Sequence, residues 1–181
     1  GDDPDVRVVA DLALPAMTSG AALVDHTTAS AELARQLAET AQAMGIGFLD
    51  APVSGGQAGA ENGQLSIMCG GEPEVFAKAE AIMTCYAKAM VHAGPAGAGQ
   101  LTKMVNQICI AGLLQGLSEG MNFGARSGLD MEKVIQVIGG GAAQSWQMDN
   151  RAGTMVEGKF DFGFAVEWMR KDLGICLGEA R

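Results

Sequence analysis

The sequence predicts a two-part fold, α/β over the first half of the chain and all-α over the second. Strand, helix and strand patterns alternate within about thirty residues of the first half, the spacing of a βαβ unit in a parallel sheet. After residue 95 no strand-like run recurs. Residues 99–127 instead carry one long helical pattern that is apolar on more than one face. A domain boundary is therefore expected near residue 95.

The predicted βαβ unit occupies residues 21–53. Residues 21–25, "AALVD", form a short apolar run typical of a buried strand, and "IGFLDAPV" at 46–53 forms the next one. Between them lies a helical pattern that ends at Gly45, because glycine commonly terminates helices. The apolar face of this helix is predicted to comprise Leu33, Leu37, Ala41 and Met44.

Two more strands and a helix complete the predicted α/β part. Residues 63–71, "GQLSIMCGG", alternate in the manner of a strand, and "AMVHAG" at 89–94 is a short last strand. The helix between them has Pro73 near its first turn, a favourable position for proline. Its inward residues are predicted to be Val75, Ala79, Ile82, Met83 and Tyr86.

The all-α part contains a row of glycines on its long helix. Gly112, Gly116, Gly120 and Gly124 recur every four residues, so one stripe of the helix lacks side chains. Each costs about 1 kcal/mol relative to alanine, which suggests close approach of another backbone. Packing inside one helical domain and an interlocked dimer both explain the row. Residues 130–141 and 164–180 are predicted to form two further helices.

Composition limits the classes of function. Hydrophobic residues make up 48% of the chain and charged residues 18%, as in folded globular proteins. The net charge of −9 argues against a general nucleic-acid or anionic-membrane binder. The most apolar stretch, residues 104–117, is short and carries polar amides, so it predicts a buried helix rather than a membrane span.

Cysteine and histidine are spaced too widely for a metal site. Metal-binding loops usually hold their cysteine ligands a few residues apart, and this chain has no Cys-x-x-Cys pair. We therefore predict no metal. The cysteines are interpreted as free thiols, which indicates a reducing, cytoplasmic compartment. The residues concerned are Cys69, Cys85, Cys109, Cys176, His26 and His92.

Lys103 is the clearest candidate for chemistry. In "GAGQLTKMVNQICIAG" it lies among apolar residues, with Asn106 and Gln107 three and four positions further along the predicted helix. Apolar surroundings lower the pKa of a lysine, and a lysine so tuned serves as a general acid or base near neutral pH. The alternative is a lysine that lays its stem along apolar surface and keeps its ammonium in water.

The stretch "PVSGG" at 52–56 is a second candidate. Ser54, Gly55 and Gly56 follow a strand at the edge where open α/β sheets bind ligands. Their backbone N–H groups and one hydroxyl suit a carboxylate or a phosphate, although a plain glycine-rich turn has the same composition. The spacing is not G-x-G-x-x-G, so this stretch is not the nucleotide-binding fingerprint. In "RKDLG" the charged residues from Arg170 to Asp172 have an ordinary interpretation as a solvated helix face.

Taken together, four stretches resemble the β-hydroxyacid dehydrogenase family, in particular its 3-hydroxyisobutyrate dehydrogenase and tartronate semialdehyde reductase branches. They are "VDHTTAS", "FLDAPVSGGQAGAENGQLSIMCGG", "GPAGAGQLTKMVNQ" and "KFDFGFAVEWMRKDLGICL", and they occur in the family's order. The resemblance implies the C-terminal part of a Rossmann-type parallel sheet in residues 1–95. It implies an all-α substrate and dimerisation domain with one long central helix in residues 96–181.

The resemblance also implies roles for individual residues. Lys103 is expected to be the catalytic acid/base, and Ser54, Gly55 and Gly56 are expected to bind the substrate carboxylate. Asn106 or Gln107 is expected to contact the substrate hydroxyl. NAD or NADP is the expected cofactor, and its predicted contacts are Thr28, Phe164, Lys171 and Asp172.

The activity implied is hydride transfer between NAD(P) and a short 3-hydroxy acid or its semialdehyde, in a homodimer or homotetramer. The family's opening "GxGxMG" loop has no counterpart in this chain, which suggests a fragment with about half of a cofactor site, inactive alone. Two alternatives stay open. One is a non-catalytic binding or oligomerisation module on the same fold. The other is a 6-phosphogluconate dehydrogenase-like activity, which calls for more basic residues than this acidic chain has.

Overall fold

The computed structural model describes residues 1–181, in which a five-stranded sheet with flanking helices is followed by a helical region. The predicted order of an α/β part and an all-α part is confirmed. The helices are α1 Asp3–Ala13, α2 Ala31–Ala43, α3 Gly56–Glu61, α4 Pro73–Met83, α5 Ala98–Arg126, α6 Met131–Ile138, α7 Trp146–Val156 and α8 Val166–Glu179. The strands are β1 Ala22–Asp25, β2 Gly47–Asp50, β3 Val53–Ser54, β4 Leu65–Gly71 and β5 Ala87–Gly94.

The sheet is mixed rather than purely parallel. Strand β1 pairs in parallel with β2, and β4 pairs in parallel with β5, as expected for a βαβ arrangement. Strand β4, however, runs antiparallel to both β2 and β3. The short connection through α3 allows this reversal, since a parallel pair needs a longer crossover.

The single strand predicted for residues 46–53 is divided into β2 and β3. Pro52 lies in the gap and has no N–H with which to continue a ladder. Its carbonyl still accepts a hydrogen bond from Met68 N at 3.0 Å, so the chain stays on the edge of β4. The division bends the chain at the point where the candidate serine and glycines begin.

Three helices lie where none was predicted from the sequence: the short α3 and the two capped helices α1 and α7. Helix α1 begins at a capping box in which the side chains of Asp2 and Asp5 each accept from the other's backbone. Helix α7 is capped by the Ser145 hydroxyl, which accepts from Met148 N at 3.1 Å. Both caps are local sequence signals that the apolar periodicity alone does not reveal.

Residues 1–106 and 165–181 form one compact unit, and residues 107–164 form another. In the first unit Leu37, Ala41 and Phe48 belong to a core cluster beside α1 and α2, and Ile67 and Met83 belong to a second cluster. In the second unit, a small methionine-rich core comprises Leu117, Met121, Met131, Met148 and Ala152.

The predicted inward faces of α2 and α4 are each wrong at one position. Met44 is 44% exposed, and Ile82 is 69% exposed. Met44 follows the last residue of α2 and caps it, so it no longer continues the buried stripe. Ala79 and Met83 of α4 are buried, and Ile82 lies one position off that stripe.

Candidate active site

Lys103 is a buried lysine whose ammonium points at strand β3. It is 7% exposed, and its Nζ donates a hydrogen bond to the carbonyl oxygen of Val53 at 2.9 Å. Burial lowers the pKa of Lys103 below that of an ordinary lysine. The negative charge of Asp172 opposes this lowering, and the positive charge of Lys171 adds to it. A buried ammonium with a lowered pKa is suited to proton transfer.

The serine–glycine stretch begins at the residue after Val53. Ser54 is the last residue of β3 and pairs with Ser66 of β4. Gly55 and Gly56 follow with φ of 132° and 61°, conformations that side chains rarely adopt. The glycines are exposed, and a Cβ at Gly56 would meet nothing within 4 Å. The backbone here is therefore open to solvent close to the Lys103 ammonium.

Thr28 lies in the loop that follows β1, and Lys171 of α8 contacts it. The Lys171 ammonium donates to the Thr28 carbonyl and, at 3.0 Å, to the Gly1 carbonyl. Asp172 is 2% exposed, and its Oδ1 lies 3.2 Å from Lys171 Nζ. The structure thus brings Thr28, Lys171 and Asp172 together, and the charges of the last two act on Lys103. The interpretation of residues 170–172 as a solvated face is wrong for Asp172.

The remaining predicted residues fall on either side of the boundary between the compact units. Asn106 is half-buried and three residues after Lys103, so the two share a face of α5. Gln107 is 2% exposed and is the first residue of the second unit. Phe164 is the last residue of that unit and is 56% exposed.

Asp50, which the sequence analysis did not single out, joins β2 to the start of α5. Its completely buried carboxylate accepts from Gly97 N and from Gln100 N, both at 2.8 Å. Desolvation raises the pKa of this carboxyl, and the backbone hydrogen bonds oppose that effect. The available signal was its position at the carboxyl end of a strand, directly before the serine–glycine stretch.

Two further side chains at this edge of the sheet escaped the sequence analysis. Gln100 is 1% exposed and bonds to the backbone on both sides of Thr28. His26 is half-buried, with Nδ1 2.7 Å from the Ala51 carbonyl oxygen and Nε2 3.0 Å from the Tyr86 hydroxyl. An isolated histidine carries no sequence signal for such a bridge, because its partners come from distant segments.

The Thr28 loop lies at the ligand-binding edge of the α/β sheet. It follows the carboxyl end of β1, where open α/β sheets bind ligands. Thr28 is half-buried and its backbone is held by Lys171. A separate cavity of about 190 Å³ between α1 and β1 contains none of the predicted site residues in its lining. No group of three His, Cys, Asp or Glu side chains is placed to hold a metal ion.

Two family models match the chain, one on each part. The NAD binding domain of 6-phosphogluconate dehydrogenase matches residues 1–94. A model described as NAD-binding of NADP-dependent 3-hydroxyisobutyrate dehydrogenase matches residues 97–181. The sheet, the long helix and these matches place the chain among the NAD- or NADP-binding oxidoreductases.

The relatives include an uncharacterized oxidoreductase and 3-hydroxyisobutyrate dehydrogenases. An uncharacterized oxidoreductase of Shewanella frigidimarina is 57% identical over 184 residues, covering 100% of this chain and 63% of its own length. The 3-hydroxyisobutyrate dehydrogenase of Pseudomonas aeruginosa is 36% identical, covering 88% of this chain and 56% of its own. A solved Mycobacterium tuberculosis 3-hydroxyisobutyrate dehydrogenase with L-serine superposes with a TM-score of 0.90 at 28% identity, over 99% of this chain and 64% of that one.

The chain belongs to the β-hydroxyacid dehydrogenase family. It spans less than two thirds of the length of these relatives. None of its helices combines the length and apolar character needed to cross a membrane.

Proposed function

We propose that the complete protein carrying this chain transfers a hydride between NAD(P) and a short 3-hydroxy acid or its semialdehyde. The observation that carries the proposal is the 2.9 Å hydrogen bond from the buried Lys103 ammonium to Val53, next to Ser54. In this position Lys103 would act as the acid/base beside an open, glycine-containing backbone that would receive the substrate carboxylate. The M. tuberculosis relative with bound L-serine, a 3-hydroxy carboxylate, supports this substrate class.

The proposed substrate is held at two points. The Ser54 hydroxyl and the N–H groups of Gly55 and Gly56 would bind its carboxylate. Asn106, or Gln107, would bind its hydroxyl and orient Lys103. These interactions fix the hydroxyl-bearing carbon relative to the lysine, and such positioning is itself a large part of catalysis.

Lys103 would move the proton. As a neutral amine it would accept the hydroxyl proton during oxidation, and as an ammonium it would return the proton to the carbonyl oxygen during reduction. The bound dinucleotide supplies the hydride acceptor or donor. On the cofactor side Thr28, Phe164, Lys171 and Asp172 would make the contacts.

The remaining features of the proposal follow the family. Residues 1–95 would form the cofactor-domain portion and residues 96–181 the substrate and dimerisation portion. We propose a homodimer or homotetramer built through the helical part, since Gly112, Gly116 and Gly120 face open space. Sedimentation of the complete protein tests this. The free thiols of all four cysteines favour a cytoplasmic location, and the chain alone is proposed to be inactive.

The test of the role of Lys103 is a Lys103→Ala substitution in the complete protein. Turnover of 3-hydroxy acids, followed by NADH or NADPH absorbance, is expected to fall on the order of 10²–10⁴-fold. Lys78→Ala removes an exposed lysine and serves as the matched control, with turnover unchanged. Turnover of the Lys103 variant within about threefold of wild type would contradict the acid/base role.

A substrate scan separates the dehydrogenase from its alternatives. The first family model takes its description from 6-phosphogluconate dehydrogenase, so 6-phosphogluconate is a second candidate substrate. Each compound is assayed with NAD and with NADP. Turnover of 6-phosphogluconate alone would replace the proposed substrate class, and turnover of no compound would favour a non-catalytic module.

A further inference from the structure

The Gln100 side chain forms two hydrogen bonds with the backbone of the loop that contains Thr28. Its Oε1 accepts a hydrogen bond from Ala29 N at 3.0 Å, and its Nε2 donates to the Thr27 carbonyl oxygen at 2.7 Å. An amide both accepts and donates, whereas an ionised carboxylate only accepts and a thioether does neither usefully. Glutamine is therefore the side chain that satisfies both backbone groups on either side of Thr28.

Gln100 is itself held firmly. It is 1% exposed, and its backbone N donates to Asp50 Oδ2 at 2.8 Å. Buried side chains with satisfied hydrogen bonds have little freedom to move. Through Gln100, the Thr28 loop is therefore connected to Asp50 at the buried end of β2, and not to a mobile surface group.

Gln100 also lies one helical turn before Lys103. Both residues belong to α5, and residues three apart on a helix are neighbours on its surface. The first turn of α5 therefore carries the side chain that holds the Thr28 loop, and the second turn carries the ammonium beside Val53. The helix backbone is the rigid connection between the two.

We propose that Gln100 is a positioning residue that sets the distance between the cofactor side of the site and the Lys103 amine. This inference rests on the proposed dehydrogenase function. In the proposed oxidation the hydride leaves the carbinol carbon and the proton leaves the hydroxyl oxygen bonded to it. The nicotinamide and the Lys103 amine therefore need a fixed separation. When a mutation far from the reacting atoms misplaces a reacting group by about 1 Å, the rate can fall about 10²-fold.

The experiment uses Gln100→Met in the complete protein, because methionine keeps the volume and removes both hydrogen bonds. The kcat is expected to fall on the order of 10²-fold. The KM for the hydroxy acid should stay within about threefold, since Ser54 is held separately by its pairing with β4. The isotope effect for substrate deuterated at the carbinol carbon should rise.

A second variant and a control keep the test decisive. Gln100→Glu retains an acceptor for Ala29 N and, once its carboxyl is ionised, loses the donor to Thr27. At high pH its kcat should therefore fall while the Ala29 amide stays protected from hydrogen exchange. In Gln100→Met the Ala29 amide should exchange faster. Thr102→Val removes a hydrogen bond that stays within α5, to the Ala98 carbonyl oxygen, and should leave kcat and Ala29 exchange unchanged.

Two results would overturn the inference: a kcat for both Gln100 variants within about threefold of wild type, or unchanged Ala29 exchange in Gln100→Met. If Gln100→Met does not fold, the kcat of Gln100→Glu alone tests the inference. Absence of turnover in the wild type would instead refute the proposed function, and Ala29 exchange alone would then decide whether Gln100 holds the loop.

Discussion

The carboxylate of Asp50 accepts a hydrogen bond from the backbone amide of Gly97 at 2.8 Å, across 47 residues of sequence. The amide at the start of a helix has no partner within its own helix, so Asp50 caps α5 from a neighbouring strand. The direction of α5, and with it the position of Lys103, depends on this contact.

We expect Asp50→Asn to destabilise the fold by about 1–3 kcal/mol, because an asparagine amide can accept from only one of the two α5 amides. Urea unfolding measures the change, and Asp11→Asn replaces an exposed aspartate as control. An unchanged free energy of unfolding would contradict the capping role.

The stability difference between wild type and Asp50→Asn should depend on pH. Desolvation raises the pKa of Asp50 in the folded state above its unfolded value. The folded wild type therefore binds this proton more readily than the unfolded chain does. As pH falls from the folded-state pKa of Asp50 towards its unfolded-state pKa, proton binding increases the free energy of unfolding. The difference in unfolding free energy between wild type and Asp50→Asn should widen on acidification. A constant or narrowing difference would show that the pKa is not raised.

The pH profile of turnover should respond in opposite directions to changes at the two neighbours of Lys103. Asp172 raises the pKa of Lys103 and Lys171 lowers it, while burial makes the largest contribution. Asp172→Asn should shift the Lys103 limb of the kcat/KM profile for oxidation to lower pH, and Lys171→Met should shift it to higher pH. Lys78→Met, at an exposed position, should shift neither. Shifts in the same direction would contradict the electrostatic account.

Gly99→Ala should strongly destabilise the first unit. A Cβ at Gly99 would lie 2.4 Å from the carbonyl oxygens of both Asp50 and Met68, which are backbone atoms that cannot move aside cheaply. We expect a loss of about 3 kcal/mol or more in thermal or urea unfolding.

Gly174→Ala is the matched substitution, inside helix α8 of the same compact unit. A Cβ there meets nothing within 4 Å, so alanine should gain up to about 1 kcal/mol from its higher helix propensity. Equal effects at Gly99 and Gly174 would mean that helix propensity, and not close packing, governs the Gly99 position.

Periodicity in the sequence was sufficient for most elements of the fold. Helix α5 and strand β4 were predicted from their apolar patterns, because apolar residues recur at helical spacing in α5 and alternate with others in β4. The direction of β4 was not predictable, since alternation reads the same for parallel and antiparallel strands. Helix α1 was missed because its signal is a cap, Asp2 with Asp5, and not a long apolar stripe.

The candidate site was only partly predictable, for a similar reason. Lys103 is unusual in its local sequence, so it could be singled out. Asp50 and Gln100 are unremarkable in theirs, and their significance comes from partners 47 to 73 residues away. Hydrogen bonds between distant segments leave no periodic trace, so only the folded structure reveals which polar residues are buried.

The first compact unit is built from both ends of the chain, residues 1–106 and 165–181. As the protein is synthesised, the sheet and Lys103 leave the ribosome well before α8 does. Until α8 arrives, the Thr28 carbonyl lacks the Lys171 ammonium, and Lys103 lacks the carboxylate of Asp172. The charged surroundings of Lys103 are therefore complete only once α8 has joined the unit, and a nascent chain stopped before α8 holds Lys103 without the carboxylate that raises its pKa.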